Sequence, residues 1–566
     1  MIKIKSMNKN SEYDSLITNV LINRGYKEEI IEALLNTGYS DEMPRYNDLT
    51  NVEIGADIIE SHIDNDSVIY IFGDYDADGV TSSYILSDAI NHAIYNTVSN
   101  ASINVKLPER TEGYGLNMNW CKKIVEQHQG EDVLVITVDN GIAQNKEVAY
   151  LLENGIDVLI TDHHMPSGKT PKDVYIIDAF YNNDDENNKG LCGAGVAFKL
   201  AMTLLDRYNL DYIDDLYYNY MIHVAIATIT DSMPMTVENI KYVYNGVQLL
   251  KDGYGSEALQ YYRYFNSNTD ITPKDIAFGL GPQINSCGRM NNTSLALNYL
   301  FADEEDVEEL YNSVVNTNDE RKSKTKAALE MAEELIDVND AGIIVQLPEV
   351  EGIAGIIASN ISNKYNKCTV IFCQAGDALI GSGRGDGYIN LLKIFKHIES
   401  TTDCIVKMGG HASACGITIK KNKFEQFKQL FNDELNKLLG NRPSEEIKDI
   451  DIIVDDCITV SDINKENCEA LRSLYFFTES NPVFALNNVT ITNVKPSGNN
   501  PNNVQFSIKD SSGSFTFWSW GIGDHYKEIG MPRSVTLIGE LDTKFGKPSF
   551  NILNIIPKGG INNEVQ

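Results

Sequence analysis

The chain has 566 residues, and its 47 Lys+Arg against 80 Asp+Glu give a net charge of −33. That excess of acid argues against a protein that coats nucleic acid non-specifically and confines any such contact to a local basic groove. A length of this order predicts three or four domains, and with no apolar run of about 18 residues no membrane span is expected.

Residues 1–50 read as a charged helical cap, with Ile30, Ile31, Ala33, Leu34 and Leu35 around a short helix. The first residues, Met1 to Asn8, carry no apolar secretory core after their lysines, so the expected location is cytoplasmic. The nine cysteines are scattered with no C-x-x-C pair, which argues against a zinc knuckle or redox dithiol.

From 51 to 250 strand-like runs alternate with helical patterns, the βαβ signature of a parallel sheet. Three apolar runs each end in an acidic or acid–imidazole cluster. Residues 67–72 lead into Gly73-Asp74-Tyr75-Asp76-Ala77-Asp78-Gly79. Residues 133–138 lead into Asp139-Asn140-Gly141, and 156–161 into Asp162-His163-His164. Two shorter strands are predicted at 105–108 and 174–177. Open α/β sheets place their sites at the carboxyl ends of strands, so these clusters converge on one edge. Carboxylates with added imidazole suit Mg²⁺ or Mn²⁺, and metal with positioned acids points to hydrolytic or phosphoryl chemistry. The Asp-x-Asp-x-Asp spacing is not an EF-hand: the twelfth position from Asp74 is Ile85, and a strand precedes the motif. His163 is expected to ligate metal and His164 to face the substrate. Asp139 is expected to bridge, and Asp231, after the apolar run 223–230, is a further candidate acid.

A helical connector over 251–335 includes a long charged helix between Asp303 and Asp337. A second α/β unit spans 336–440, with strands at 342–345 and 368–372 and a helix at 353–361. A polar linker containing Pro443 occupies 440–449. Beyond it, to 566, Asn/Gly-rich turns separate alternating β stretches, the pattern of a small barrel of OB type. In Phe515-Thr516-Phe517-Trp518-Ser519-Trp520 one alternating set is expected in the core; the other either stacks on bases or packs as well.

The motifs Gly73–Gly79, Val138–Gly141, Asp162–His164 and Asp231, in this order and spacing, resemble the DHH phosphoesterase superfamily. Leu191-Cys192-Gly193-Ala194-Gly195-Val196-Ala197, Gly281-Pro282-Gln283-Ile284-Asn285-Ser286-Cys287-Gly288-Arg289-Met290 and Gly409-Gly410-His411-Ala412-Ser413-Ala414-Cys415-Gly416 narrow the likeness to its RecJ branch of single-strand exonucleases. The resemblance covers roughly residues 50–560. It implies an α/β fold in which a parallel-sheet DHH domain is joined by a long helix to a smaller α/β DHH-associated domain, with a C-terminal OB-like β-barrel.

It also implies a 5′-to-3′ exonuclease acting on single-stranded DNA with Mn²⁺ or Mg²⁺. Carried over residue by residue, Asp76, Asp78, Asp139, His163 and Asp231 hold one or two ions. Asp74 stands beside them and His164 stabilises charge on the phosphoryl group. Some members carry a histidine four residues before the first Asp of the Asp-x-Asp pair; here that residue is Phe72, which puts the strength of one metal site in question. Ser382, Arg384 and Arg289 are the expected readers of a 5′-phosphate. Gly409, Gly410 and His411 offer a close backbone approach, and Arg110 and Tyr114 contact backbone and base. The implied partners are single-stranded DNA and, compatibly, a single-strand-binding protein or helicase; the implied state is a monomer. Two other expectations compete: a small-substrate phosphodiesterase of the same superfamily, and an inactive scaffold.

Overall fold

The computed structural model describes residues 2–6, 15–35, 45–166, 168–265, 271–385, 389–440, 450–473, 481–498, 500–544 and 546–558. The chain forms two compact units, one of residues 44–234 and 242–444, the other of 1–43, 235–241 and 445–566. The linker expected at 440–449 falls outside the described residues except for Gly440, which ends a helix. Among the described residues no helix is long and apolar enough to cross a membrane.

Strand β1 (Ile2–Ser6) and the helices α1 (Leu16–Asn23) and α2 (Glu28–Leu35) occupy the segment read as a helical cap. They belong to the same unit as the C-terminal barrel, and the segment opens with a strand that the helical reading did not contain.

The larger unit begins with α3 (Val52–Asp64) and then alternates strand and helix: β2 (Val68–Phe72), α4 (Ala77–Thr97), β3 (Ser102–Lys106), α5 (Met118–Gln127), β4 (Val133–Thr137), α6 (Asn145–Glu153), β5 (Asp157–Thr161) and β6 (Tyr175–Ile177). All five strands are parallel, in the order β3-β2-β4-β5-β6. Every residue of β4 is buried, as the centre of a parallel sheet requires. Tyr70, Phe72, Val133, Val135 and Ile160 pack with Cys121, Ile124, Val148 and Leu151 of α5 and α6 on one face. Helices α3, α4 and α9 (Gly193–Leu205) take the other, after the one-turn helices α7 (Ala179–Asn182) and α8 (Glu186–Lys189). Strand order reverses at β2, so the carboxyl ends of β2 and β4 flank the crevice where such sheets bind ligands.

Helix α10 (Ile213–Thr230) packs on α4 and α9. Helix α11 (Val237–Asp252) follows, and the stretch 251–335 read as a connector holds α12 (Glu257–Phe265), α13 (Pro273–Asp275), α14 (Gly281–Arg289), α15 (Thr293–Leu300) and the 29-residue α16 (Val307–Leu335). Next comes a second sheet of β7 (Ile343–Gln346), β8 (Thr369–Ala375), β9 (Ala378–Arg384), β10 (Ile405–Gly410) and β11 (Ala414–Lys420), in the order β10-β11-β9-β8-β7. Only the β7–β8 pair is parallel. Helix α17 (Ala354–Tyr365) covers one face; α18 (Leu391–Thr401) and α19 (Phe424–Gly440) cover the other.

In the second unit β1 pairs in parallel with β12 (Ile450–Val454), and Arg24, at the end of α1, forms a two-point ion pair with Asp455. Strand β13 (Asp456–Ile458) and α20 (Lys465–Ser473) lead to a sheet ordered β16-β15-β14-β17-β18, with β13 added beside β14. Its strands are β14 (Phe484–Pro496), β15 (Val504–Lys509), β16 (Ser514–Ser519), β17 (Ser534–Lys544) and β18 (Lys547–Pro557). The Ile552 N–H donates to Ser519 Oγ at 3.1 Å, bringing the two outermost strands together. Phe517 is in the core and Phe515 stacks beside it, centroids 6.0 Å apart. Trp518 and Trp520 form the alternate set, their rings 6.0 Å apart and Trp520 45% exposed.

Candidate metal centre and substrate cleft

The first cluster is built where β2 ends and α4 begins. Asp76 is the N-cap of α4, and its Oδ1 accepts the N–H groups of Asp78 and Gly79, both at 3.1 Å. Asp78, in the first turn, meets the start of a second helix. Its two oxygens accept the N–H groups of Gly193 and Ala194 at the start of α9, each at 2.7 Å. The Leu191–Ala197 motif therefore supplies amides that fix one carboxylate. A Cβ on Gly193 would stand 2.6 Å from the Asp139 Cβ, so only glycine permits this approach.

Asp139, just beyond β4, has φ of 59°, in the left-handed region. Such a conformation costs about 1–3 kcal/mol in a non-glycine residue. It is held there by its neighbours. Tyr114 Oη donates to the Asp139 carbonyl at 2.9 Å, and Asn140 Nδ2 donates to the carbonyls of Phe72 and Val138. Asp162, beyond β5, faces inward rather than toward the cluster. Its Oδ2 accepts the Ile142 N–H at 2.9 Å, and its Oδ1 accepts His164 Nδ1 at 2.8 Å. This orients the ring, leaving His164 Nε2 on the open side, 3.5 Å from Tyr114 Oη.

His163 Nε2 is the hub: it lies 3.1 Å from Asp139 Oδ1, 3.4 Å from Asp78 Oδ2 and 3.9 Å from Asp231 Oδ2. Asp231 caps the carboxyl end of α10, an unfavourable place for an anion unless a cation is near. Two sets of ligand atoms, Asp78/His163/Asp231 and Asp74/Asp76/Asp139, each lie within 4.8 Å of one another. Asp139 also lies in a third set with His163 and His164. It therefore stands between the first two.

The electrostatics are those of a cation site. Burial, then the charge of Asp78, Asp76 and Asp74, pushes Asp139 well up; burial and Asp76 do the same to Asp74. Burial and Asp78 raise Asp76, and burial with Asp78 and Asp76 pushes Asp231 up to about 8. Burial pulls His163 down, so its imidazole is neutral and free to ligate. Burial also opposes charge on His164, but the bond to Asp162 overcomes it and pushes the ring up to about 9. The buried Oδ1 atoms of Asp74 and Asp139 accept no hydrogen bond. Unpaired buried oxygens among mutually repelling carboxylates fit a divalent ion, and oxygen donors with one imidazole suit Mn²⁺ or Mg²⁺. Phe72 is no part of this: it points into the core, packed edge-on against Trp120. Asp74 provides the carboxylate beside Asp76 and Asp139 instead.

A basic rim adjoins the acids. The Arg110 guanidinium lies 4.2 Å over the Tyr75 ring, which meets Tyr114 edge-on at 6.4 Å. Helix α14 docks on the Asp-x-Asp loop: Asn285 Oδ1 accepts the Ala77 N–H at 2.9 Å, and a Cβ on Gly288 would stand 2.0 Å from the Tyr75 carbonyl oxygen. Arg289 then reaches across to the second α/β lobe, where Nη1 donates to the Gly352 carbonyl at 3.1 Å. Burial, then Arg110 and Arg321, pulls Arg289 down to about 10. On β9, Arg384 donates to Ser382 Oγ at 3.0 Å and to Ser359 Oγ at 3.2 Å. A Cβ on Gly355, in the first turn of α17, would fall 2.8 Å from Arg384 Nη2 and 3.1 Å from Ser382 Oγ. A guanidinium, a hydroxyl and a helix amino end meet here, the components of an anion pocket. Among the described residues none of Arg110, Arg289, Arg321 and Arg384 has a carboxylate partner, in a chain of net charge −33.

Gly409 and Gly410 end β10, an edge strand, and His411 is exposed in the turn to β11. The structure does not bring this hairpin into contact with the acid cluster among the described residues. Three contributors escaped the sequence reading. Arg321 sits on a helix that reads only as charged, and Tyr75 is masked by the aspartates around it. Asp178 follows the short strand β6; it is buried, and burial followed by Asp162 pushes it up to about 7. For Asp178 a signal was present, the apolar run 174–177 ending in a carboxylate.

Residues 68–228 match the DHH family, N-terminal domain, and 339–437 match the DHHA1 domain. Residues 454–548 match the RecJ OB domain, so three segments of the chain match domains of this kind in succession. It is 26% identical over 548 residues to the single-stranded-DNA-specific exonuclease RecJ of Bacillus subtilis, covering 95% of this chain and 67% of that protein. It is 28% identical over 457 residues to the protein of the same description from Escherichia coli, covering 75% of this chain and 76% of the other. The crystal structure of RecJ in complex with Mn²⁺ from Thermus thermophilus superposes with a TM-score of 0.74 at 22% identity, covering 98% of this chain and 79% of that one. That likeness establishes a shared fold.

Proposed function

We propose that the protein is a Mn²⁺- or Mg²⁺-dependent exonuclease specific for single-stranded DNA, hydrolysing phosphodiester bonds from the 5′ end. The placement of Asp139 between two ligand sets carries this reading, and the relatives named single-stranded-DNA-specific exonuclease support it.

Asp76, Asp78, Asp139, His163 and Asp231, with Asp74, are the residues that would hold the metal. Divalent ions held there would neutralise charge on the phosphodiester and lower the pKa of a water so that it attacks near neutral pH. The chain's own groups do the rest. His164, fixed through Nδ1 by Asp162, presents Nε2–H to the phosphoryl oxygens as charge grows on them. Tyr114 holds Asp139 in its strained backbone geometry and stands edge-on to the His164 ring. Ser382, Arg384 and the first turn of α17 bind the terminal phosphate, and Arg289 spans from the acid cluster to the lobe that carries them. Arg110, laid over Tyr75, contacts the strand beside the scissile bond. The Gly409–His411 hairpin guides the strand farther from the centre. A single-strand-binding protein or a helicase that delivers such strands fits this role. A monomer suffices, because every group named comes from one chain.

The test is Mn²⁺-dependent release of mononucleotides from long single strands labelled at either end, beside a dinucleotide substrate. Release from the 5′ end of the long strand is expected. Preference for the dinucleotide would assign the site to a small-substrate phosphodiesterase instead.

A further inference from the structure

Helix α16 meets α17 along a groove of about 420 Å³, a volume within the range of sites that hold a small molecule. Arg321, Lys322 and Lys326 line one end, and Leu329 with Ile356 forms an apolar wall. Two acids, Glu330 and Glu333, also line it. Glu333 lies about 18 Å further along the helix than Arg321 and is already engaged by Lys364 and by Tyr365 Oη.

Arg321 is built into its place. Its Nη2 donates at 2.6 Å to Oδ1 of Asn318, which is 4% exposed. Lys322 and Lys324, by contrast, are neutralised within the helix, by Asp319 at 3.0 Å and Glu320 at 2.9 Å. The acid whose charge reaches Arg321 is that same Asp319. Burial pulls the Arg321 guanidinium down, and its charge in turn helps to pull down Arg289. A half-buried guanidinium held by a neutral amide, next to a second unpaired guanidinium, is unfavourable unless an anion completes the site.

Helix α17 sets this groove beside the pocket of Ser382 and Arg384. Gly355 and Ser359 face Arg384, and the residue following each of them, Ile356 and Asn360, lines the groove. Asn360 Nδ2 donates to the Ile356 carbonyl at 2.9 Å, which leaves Oδ1 as an acceptor. A guanidinium suits a phosphate, an aliphatic wall a planar base, and an amide oxygen a base N–H.

We propose that the groove between α16 and α17 is a nucleotide-binding subsite separate from the metal centre and the terminal-phosphate pocket. Arg321, oriented by Asn318, takes the phosphate, and Ile356 with Leu329 takes the base. The ligand is a nucleoside monophosphate unit, either within the strand or released from it. The choice of a nucleotide rests on the exonuclease reading.

The test has two arms. In the first, a fluorescent 5′-phosphorylated oligothymidylate is titrated with full-length protein carrying Asp139→Asn, from about 50 to 200 mM salt. In the second, thymidine 5′-monophosphate is titrated calorimetrically into the same protein with Arg384→Ala added, so that the terminal-phosphate pocket contributes nothing. Arg321→Gln is expected to weaken binding by about 10-fold. If the strand occupies the groove, the slope of log Kd against log salt also falls by about 0.7, and Ile356→Ala weakens binding with the slope unchanged. If the released nucleotide occupies it, only the second arm responds. Asn318→Asp, which gives the guanidinium a carboxylate partner, should reproduce Arg321→Gln; should that buried change prevent folding, Arg321→Gln still gives the readout. Lys324→Gln, on the same helix but outside the groove, should leave both arms unaltered. Wild-type affinities for Arg321→Gln in both arms would overturn the proposal, as would an equal change of slope in Lys324→Gln. A parent that binds no strand would sink the exonuclease reading, and the thymidine arm would then decide the groove alone.

Discussion

A Cβ on Gly193 would stand 2.6 Å from the Cβ of Asp139 and 3.0 Å from its Cα. The residue that opens α9 thus presses against the carboxylate standing between the two ligand sets. Gly193→Ala must displace one or the other. Overpacking of this kind costs about 1–3 kcal/mol, and because Asp139 moves, turnover should fall by about 10–100-fold. Gly195→Ala, whose Cβ would lie 3.1 Å from a Leu191 side-chain atom, should be much milder. Thermal melts and single-turnover rates of the two variants check the contrast.

Asp139→Asn should abolish turnover while leaving the metal-free protein at least as stable as wild type. It removes one charge from a set of buried, mutually repelling acids. The metal-bound comparison should reverse. Mn²⁺ at about 100 times its Kd stabilises by about 2.7 kcal/mol, and the variant should lose most of that. Melting with and without Mn²⁺ measures both; unchanged metal-dependent cleavage would contradict the assigned site.

Arg384→Ala should act on one kind of strand end. A hydrogen bond to a charged group contributes about 1.5–3 kcal/mol, so kcat/KM on a 5′-phosphorylated strand should drop by about 10-fold or more. A 5′-hydroxyl strand should lose far less. Equal losses on both would remove the end-reading role from Ser382 and Arg384.

His223 gives a pH dependence independent of metal. It is fully buried on α10, two turns before Asp231, with Nδ1 donating to the Asn219 carbonyl at 2.8 Å and the ring stacked on Tyr84. Burial pulls it down to about 4. The unfolded chain, with an ordinary histidine near 6.5, binds the proton first as pH falls. Stability from this residue is therefore full above about pH 6.5 and is lost as pH falls toward 4, by roughly 3 kcal/mol. His223→Phe should flatten that part of the stability–pH curve, as read by denaturant midpoints from pH 7 to 4.

The acid cluster was legible because a parallel sheet delivers its ligands in the few residues after each strand. Asp74 to Asp78, Asp139 and His163 are therefore adjacent in sequence to unmistakable apolar runs. The Asp162 side chain defeats that logic. It follows a strand like the others yet turns to brace His164, and only the hydrogen bonds distinguish ligand from brace. Arg321 was illegible because helical periodicity does not reveal which neighbours a charged face meets. The grouping of residues 1–43 with the barrel was equally hidden: β1 pairs with a strand that begins at Ile450, and pairing across such a separation leaves no local mark. The barrel alternation, by contrast, is visible as Phe515 and Phe517 on one side and Trp518 and Trp520 on the other.

Helix α10 hands over its aspartate only at its final cap, long after the chain has laid down Asp74. A chain cut short between Asp74 and the end of α10 would lack one member of the acid–imidazole cluster, so the cluster is complete only once that helix has been made.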